Sequence, residues 1–441
     1  MKKFIFFLSC LSVTPTAWAA EALSLKESVA RALVHAPALQ AAQAARDAAQ
    51  ESVVLGQAQL LPYVAGTASL TRRNQDFSYD RPAAFLRPTV RNNERSYGIQ
   101  ASQPLFDLSK WANYKQGQLL AASSELQLDL QRQKTILQAA AAWLDVTRAQ
   151  ATLDAAKSSE QTMQKLARQA KVSFEIGISS VNESLAAQSR HDLATSQRIR
   201  AQQGLLQAQA QLDSLLGQKT DVIVHIKPHT APLQLEPQKL EDWQQRAEAH
   251  ALGIKLNEQA VSMADNNHLQ ALGSAMPTVQ LVAGWNKTTA SDGSFGGSTV
   301  KTTAIGIELN APFYAGGALS AKRRQAIQEK VKAEYNVAET KRTVRLAIQQ
   351  AWLGLQTTTA EIASLDSALN SAKSAKKATE AGFEVGLRNI TDVMDANDRL
   401  LTAKQAYADA IARHAMAFLQ LHATAGEVSS HDMEAIDRLM R

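Results

Sequence analysis

Three aspartates follow one glycine in the stretch FEVGLRNITDVMDAND, which runs from Phe383 to Asp398. Asp392 and Asp395 stand three apart, a spacing that puts two carboxylates on one face of a helix, and Asp398 lies a further turn along. Such a face can attract cations, or it can be a solvated first turn that meets the positive end of its own helix dipole. Elsewhere the nine histidines and the acids form no nucleophile, metal or phosphate motif. His225 and His229 have the interval of a helical metal pair, but Pro228 interrupts it. His414 falls on a seven-residue seam with Val393, Leu400, Tyr407 and Leu421, as a packed core histidine would. Gly316-Gly317 lacks the Gly-Lys-Ser/Thr of a phosphate loop. No metal, no cofactor and no enzymatic residue set are expected.

The elements that must position these aspartates repeat. FEIGISSVNESLAAQS, starting at Phe174, has the same glycine-centred turn without the aspartates. Ala142-Trp143-Leu144 matches Ala351-Trp352-Leu353, Pro104-Leu105-Phe106 matches Pro312-Phe313-Tyr314, and Leu61-Pro62 matches Met276-Pro277. The chain is an internal duplication.

All eleven prolines leave residues 105–227 and 313–441 free, and both stretches are rich in Ala, Gln, Leu, Lys and Glu. Strong helix formers without proline over such lengths predict very long helices, the first of them from about Ser109 to Ser173. Ile348, Leu355, Ile362 and Leu369 recur every seven residues, with Trp352 and Leu365 between, as in a coiled-coil-like wall. Ala187, Ala194, Ala201 and Ala208 repeat likewise, and so do Ala396, Ala403, Ala410 and Ala417. Small residues along one seam let helices approach closely, although alanine is abundant enough for some stripe to arise without purpose.

Between the helices, Thr303 to Asn310 and Val279 to Trp285 alternate apolar with small or polar residues, and Pro62 to Thr71 and Arg95 to Pro104 are their counterparts. Strands of about ten residues with one apolar face suit a transmembrane barrel. Four strands cannot close one, and open edges are not tolerated in lipid, so several chains must contribute. The arginines at 72, 73, 81, 87, 91 and 95 crowd the first hairpin loop, where they could meet anionic lipopolysaccharide or simply solvate a mobile loop.

The opening MKKFIFFLSCLSVTPTAWAA reads as a secretory signal peptide over residues 1–19, and its removal takes away Cys10, the only cysteine. A lipid anchor on Cys10 is the lesser reading, because Phe7 stands where a small aliphatic is usual. No later run approaches the roughly 20 apolar residues of a membrane helix. The net charge of +6 is interleaved along the chain and only 5% of residues are aromatic, so no nucleic-acid partner is expected.

Signal peptide, duplicated helix-hairpin-helix halves, Pro-Leu-Phe strand ends and paired glycine turns together resemble the TolC family of outer membrane channels. The resemblance implies a mainly α fold with transmembrane β. In it a homotrimer shares a twelve-stranded barrel, four strands per chain, and continues as a hollow α-barrel through the periplasm. It makes Ile176-Gly177-Ile178 and Val385-Gly386-Leu387 the hairpin tips that dock a periplasmic adaptor, beyond which stands an inner-membrane ABC or RND transporter. It places Asp392 and Asp395 as carboxylate rings about a threefold axis at the closed end. It also matches Phe383 and Arg388 to a gate latch against Asn182 and Glu183. Phe383 lacks the hydroxyl of the family's tyrosine, which leaves Arg388 as the charged latch, with Glu183, Asn182 or Asp392 as acceptor. The family's Asn-Pro start to its first helix is here Ala36-Pro37, and residues 250–254 of the second half have no proline.

The expected division is a first repeat over 20–217 with its β-hairpin at about 62–104, a linker over 218–245, a second repeat over 246–425 with its hairpin at about 277–312, and a tail over 426–441. The expected function is a passive outer membrane exit duct for drugs or secreted protein, in contact with outer membrane lipid. The rival is a periplasmic adaptor or other structural coiled-coil protein, which should lack the two amphipathic hairpins.

Overall fold

The computed structural model describes residues 23–76, 78, 80, 89–220, 226, 231–233, 235–292 and 296–440. The expected signal peptide, His225, His229, Arg81 and Arg87 lie outside the described residues.

The same run of two helices, two strands and two helices occurs twice. The first is α1 (Leu25–His35), α2 (Pro37–Ala58), β1 (Tyr63–Asp76), β2 (Thr89–Phe106), α3 (Leu108–Glu175) and α4 (Val181–Leu216). The second is α5 (Leu240–His250), α6 (Leu252–Gly273), β3 (Thr278–Ala290), β4 (Ser298–Asn310), α7 (Ala318–Glu384) and α8 (Ile390–Ala425), and α9 (Ser430–Met440) closes the chain. Pro37 takes the first position of α2, where its missing N–H costs nothing. The second half makes the same break at Ala251 without a proline, through a ψ of 121° against 113° at Ala36.

The 68 residues of α3 span about 100 Å at 1.5 Å per residue. Propensity alone does not hold such a rod straight; its apolar face packs along α4, α2, α6 and α8, while α7 packs along α8 and α6. The seven-residue seam of α7 is the buried one, with Ile348, Leu355, Ile362 and Leu369 at 4% exposure or less. Ala187, Ala194 and Ala208 on α4 and Ala396 and Ala410 on α8 are buried as well. The small-residue stripes are therefore packing seams.

His414 is fully buried on α8. Its Nε2 accepts the Leu233 N–H at 3.0 Å, which leaves Nδ1 as the protonated nitrogen facing Thr358 Oγ1 at 3.0 Å. Thr358 in turn donates to the carbonyls of Gly354 and Leu355. The linker is thus pinned to α7 and α8 through one neutral imidazole, whose pKa burial lowers to about 4.

The segment 426–441, expected as a tail, contains a docked helix. Met433, Ile436, Leu439 and Met440 are buried. The Asp437 carboxylate accepts the Leu25 N–H at 2.7 Å and the Lys26 N–H at 3.2 Å, meeting two orphan donors at the start of α1.

The four strands form one antiparallel sheet in the order β1-β2-β3-β4, so the two halves meet where β2 pairs with β3. They run longer than the apolar pattern suggested, 14, 18, 13 and 13 residues, because ladder pairing continues beyond the last apolar side chain, as in Arg72 opposite Asn93. One face carries Val64, Ile99, Tyr97, Trp285, Ile305 and Ile307, and the other Thr67, Ser96, Gln100, Asn286, Thr288 and Glu308. Among the described residues no helix is long and apolar enough to cross a membrane.

Candidate functional site

Two helical hairpins end in the same turn. Gly177 and Gly386 both sit at φ +79°, a left-handed conformation that side chains resist. In each turn an N–H closes back on the preceding helix, Ile178 on the Ser173 carbonyl and Leu387 on the Gly382 carbonyl, both at 2.8 Å. The reversal leaves Ile176, Ile178, Val385 and Leu387 between 64% and 82% exposed. Those four apolar side chains and the two glycines are the expected docking tips, and the structure places all six on the surface.

The helices leaving the turns are capped differently. Ser180 Oγ accepts the Glu183 N–H at 3.3 Å to start α4. α8 starts with a full capping box: Asn389 Oδ1 accepts the Asp392 N–H at 2.8 Å, and Asp392 Oδ2 accepts the Asn389 N–H at 3.3 Å. Asp392 therefore already serves the helix start within a single chain. Asp395 and Asp398, half-buried farther along α8, turn toward α4.

There a residue that sequence reasoning passed over takes both. Arg190 on α4 donates from Nη2 to Asp395 Oδ1 at 3.2 Å and from Nη1 to Asp398 Oδ2 at 2.5 Å. Its planar fork spans two carboxylates, which a lysine could not do with the same geometry. The signal was present: Arg190 lies 13 residues past Gly177 and Asp398 12 past Gly386. Two helices leaving matched tips side by side bring such residues to one height. Burial raises the Asp398 pKa, Arg190 pulls it down and the neighbouring Asp395 raises it again.

The expected latch is only partly assembled within one chain. Phe383 packs against a cluster that includes Met163, Leu166, Val393 and Met394 and so ties the end of α7 to α3 and α8. Arg388, 62% exposed in the turn, lies 3.9 Å from Asp392 in the first turn of α8, while Asn182 and Glu183 are exposed on α4. Of the three acceptors anticipated for Arg388, the single chain offers Asp392. Beside Asp398, a groove of about 880 Å³ of mixed character runs between α3, α4 and α8, lined in part by Arg148, Arg200, Gln207, Leu401 and Gln405.

Comparison with known proteins gives this architecture its kin. The model of the outer membrane efflux protein family matches residues 29–218 and 243–427. The chain belongs to that family. The two matched blocks are the two repeats, and the unmatched interval is the linker that His414 pins. This efflux-family chain is 26% identical to the outer membrane protein TolC of Vibrio cholerae over 436 residues, 98% of this chain and 97% of the relative. It is 23% identical to the alkaline protease secretion protein AprF of Pseudomonas aeruginosa, covering 94% of this chain and 87% of that one. In fold it resembles the outer membrane protein VceC of Vibrio cholerae, with a TM-score of 0.76 at 19% identity over 91% of this chain and 96% of the other. It also resembles the Campylobacter jejuni CmeC outer membrane channel, with a TM-score of 0.77 at 16% identity over 95% and 90%. An efflux-family chain with this fold is an outer membrane exit channel extending into the periplasm, and the adaptor reading falls away.

Proposed function

We propose that this efflux-family chain works as a passive homotrimeric duct, carrying small toxic compounds or secreted protein past the periplasm and outer membrane without chemistry of its own. The observation that carries this is the sheet with β1 and β4 at its edges. An unpaired strand edge inside lipid costs several kcal/mol per exposed polar group, so β4 of one copy pairs with β1 of the next until the barrel closes. Three copies supply twelve strands, and an even-numbered barrel of that size encloses a channel. The energy comes from an inner-membrane ABC or RND transporter, reached through a periplasmic adaptor that meets the exposed tips at Gly177 and Gly386.

In the closed assembly, Asp392 and Asp395 of three copies ring the narrow end, and Phe383 and Arg388 close it against the Asn182 and Glu183 region. Mass measurement in detergent tests the assembly, and a monodisperse monomer with full strand content would overturn it. Replacing Gly386 with Trp tests docking, because a side chain there points into open space. Trimers should persist while export fails, and failure of both would reduce the glycine to a turn former.

A further inference from the structure

The outward face of the sheet carries a second ordered feature beyond its apolar band. On each strand the last apolar or aromatic outward residue before the loop end is Leu70 on β1, Tyr97 on β2, Trp285 on β3 and Ile305 on β4. These four do not lie in one row of the ladder. Ile305 is opposite Ala283, two residues short of Trp285; Trp285 is opposite Ile99, two short of Tyr97; Tyr97 is opposite Ala68, two short of Leu70. The boundary thus climbs one step per strand. A flat membrane surface cuts such an oblique line across strands tilted by roughly 40°.

Beyond that line each strand places a cation on the same face, and β2 carries a second, Arg91, farther toward the loop and bonded to Asn74. Arg72 follows Leu70, Arg95 follows Tyr97, and Lys287 follows Trp285, each at the next outward position, while Lys301 lies one outward position further, past Thr303. Lys287 Nζ sits 5.5 Å above the Tyr97 ring, and Tyr97 and Trp285 meet at 5.9 Å between ring centres. Among the described residues none of the four cations has a carboxylate within ion-pair distance. Arg73, on the opposite face, does: it pairs with Glu94 at 3.2 Å. The outward acid on the described strands is Asp76, at the far end of β1.

We infer that Arg72, Arg95, Lys287 and Lys301 form a lipid-facing cationic belt that binds the phosphomonoester headgroups of an anionic glycolipid in the outer leaflet. The inference rests on the outer membrane reading. A phosphomonoester carries about −1.5 to −2 charges near neutral pH, and each Lys or Arg at an anionic lipid surface contributes about 1 kcal/mol, a factor of about five. The girdle fixes the depth, because Tyr97 and Trp285 hold the ring level from which Lys287 and its neighbours reach upward.

The test uses assembled protein in detergent, offered lipid A or its dephosphorylated form, with retained lipid read by native mass spectrometry. The wild type should retain the phosphorylated form at least tenfold better. The variant carrying Arg72→Gln, Arg95→Gln, Lys287→Gln and Lys301→Gln should lose that preference, and Arg73→Gln should keep it. Equal retention of both lipids by the wild type, or unchanged preference in the fourfold variant, would overturn the belt. Displacement of the lipid by an equal concentration of inorganic phosphate would overturn it too, in favour of a free-anion site. If the fourfold variant fails to assemble, Lys287→Gln and Lys301→Gln singly should each weaken retention about fivefold, and no change would count against the belt. Loss of lipid preference as the sole failure, with normal membrane fractionation, would leave the channel reading standing.

Discussion

The Arg190 guanidinium meets the Asp398 carboxylate at 2.5 Å, joining the first repeat to the second at nearly equal distances from the two tips. α4 and α8 touch only locally, α4 packing mainly on α3 and α8 mainly on α7, so this fork is the principal polar link between them. Any opening that spreads the two hairpins must break it.

Arg190→Ala should therefore raise single-channel conductance more than Arg388→Ser, because in the single chain Arg388 reaches only Asp392, four residues on in the same hairpin. Arg190→Lys should behave closer to Ala than to wild type, since a point charge cannot serve Asp395 and Asp398 together. Planar-bilayer recordings of the three variants decide the order; a larger effect of Arg388→Ser would move the latch to contacts between copies.

Asp398→Asn should leave trimer stability unchanged or improve it. Burial is the largest influence on that carboxyl and raises its pKa, so ionising it carries a cost that Asn avoids while still accepting from Arg190. Thermal melting of assembled protein checks this, and a large loss of stability would mean the charge itself holds the fork.

Asp392→Ala and Asp392→Asn should separate capping from selectivity. Ala removes the side-chain half of the capping box, the acceptor for the Asn389 N–H, while the Asn389 cap stays; Asn keeps an acceptor but not the charge. If Asp392 lines a cation-selective constriction, both variants should weaken cation preference equally and only Ala should loosen the tip. Reversal potentials under a salt gradient provide the measurement.

His414 sets an acid limit on the core that pins the linker to α7 and α8. The unfolded imidazole binds a proton near 6.5 and the buried one only near 4. Between those values the unfolded chain holds more protons, so stability falls as pH drops from 6.5 toward 4. His414→Gln should flatten that fall in denaturant midpoints taken between pH 7.5 and 5, at some cost in stability at neutral pH.

Gly426→Ala should cost more than Gly386→Ala. Both glycines hold φ near +80°, at +81° and +79°, which penalises alanine by about 1 kcal/mol. A methyl at Gly386 meets open space, while one at Gly426 collides with the His250 carbonyl. Comparing the two melting temperatures tests whether strain or collision dominates at the C-terminus of α8.

The long helices, the duplication and the hairpin tips were legible because each rests on a local signal: absent proline, a seven-residue seam, a glycine needing positive φ. The strand extensions were not, since Arg72 to Asp76 are paired by backbone bonds that side-chain pattern does not report. α9 was hidden because its apolar residues Met433, Ile436 and Leu439 occupy too short a stretch for periodicity to speak. Arg190 was missed for a different reason. Its partners lie more than 200 positions away, and only laying the two tips on one another reveals that they share a height.

The Asp437 cap on α1 reaches across 412 positions of sequence. Ser24 caps the Glu27 N–H locally, whereas the Leu25 and Lys26 N–H groups have Asp437 as their acceptor, so the start of the first helix is completed only when α9 has docked. A chain shortened before α9 would keep both hairpins and both tips yet leave two N–H groups of α1 without their carboxylate, so the two ends of the described chain are joined in one structural unit far from the tips.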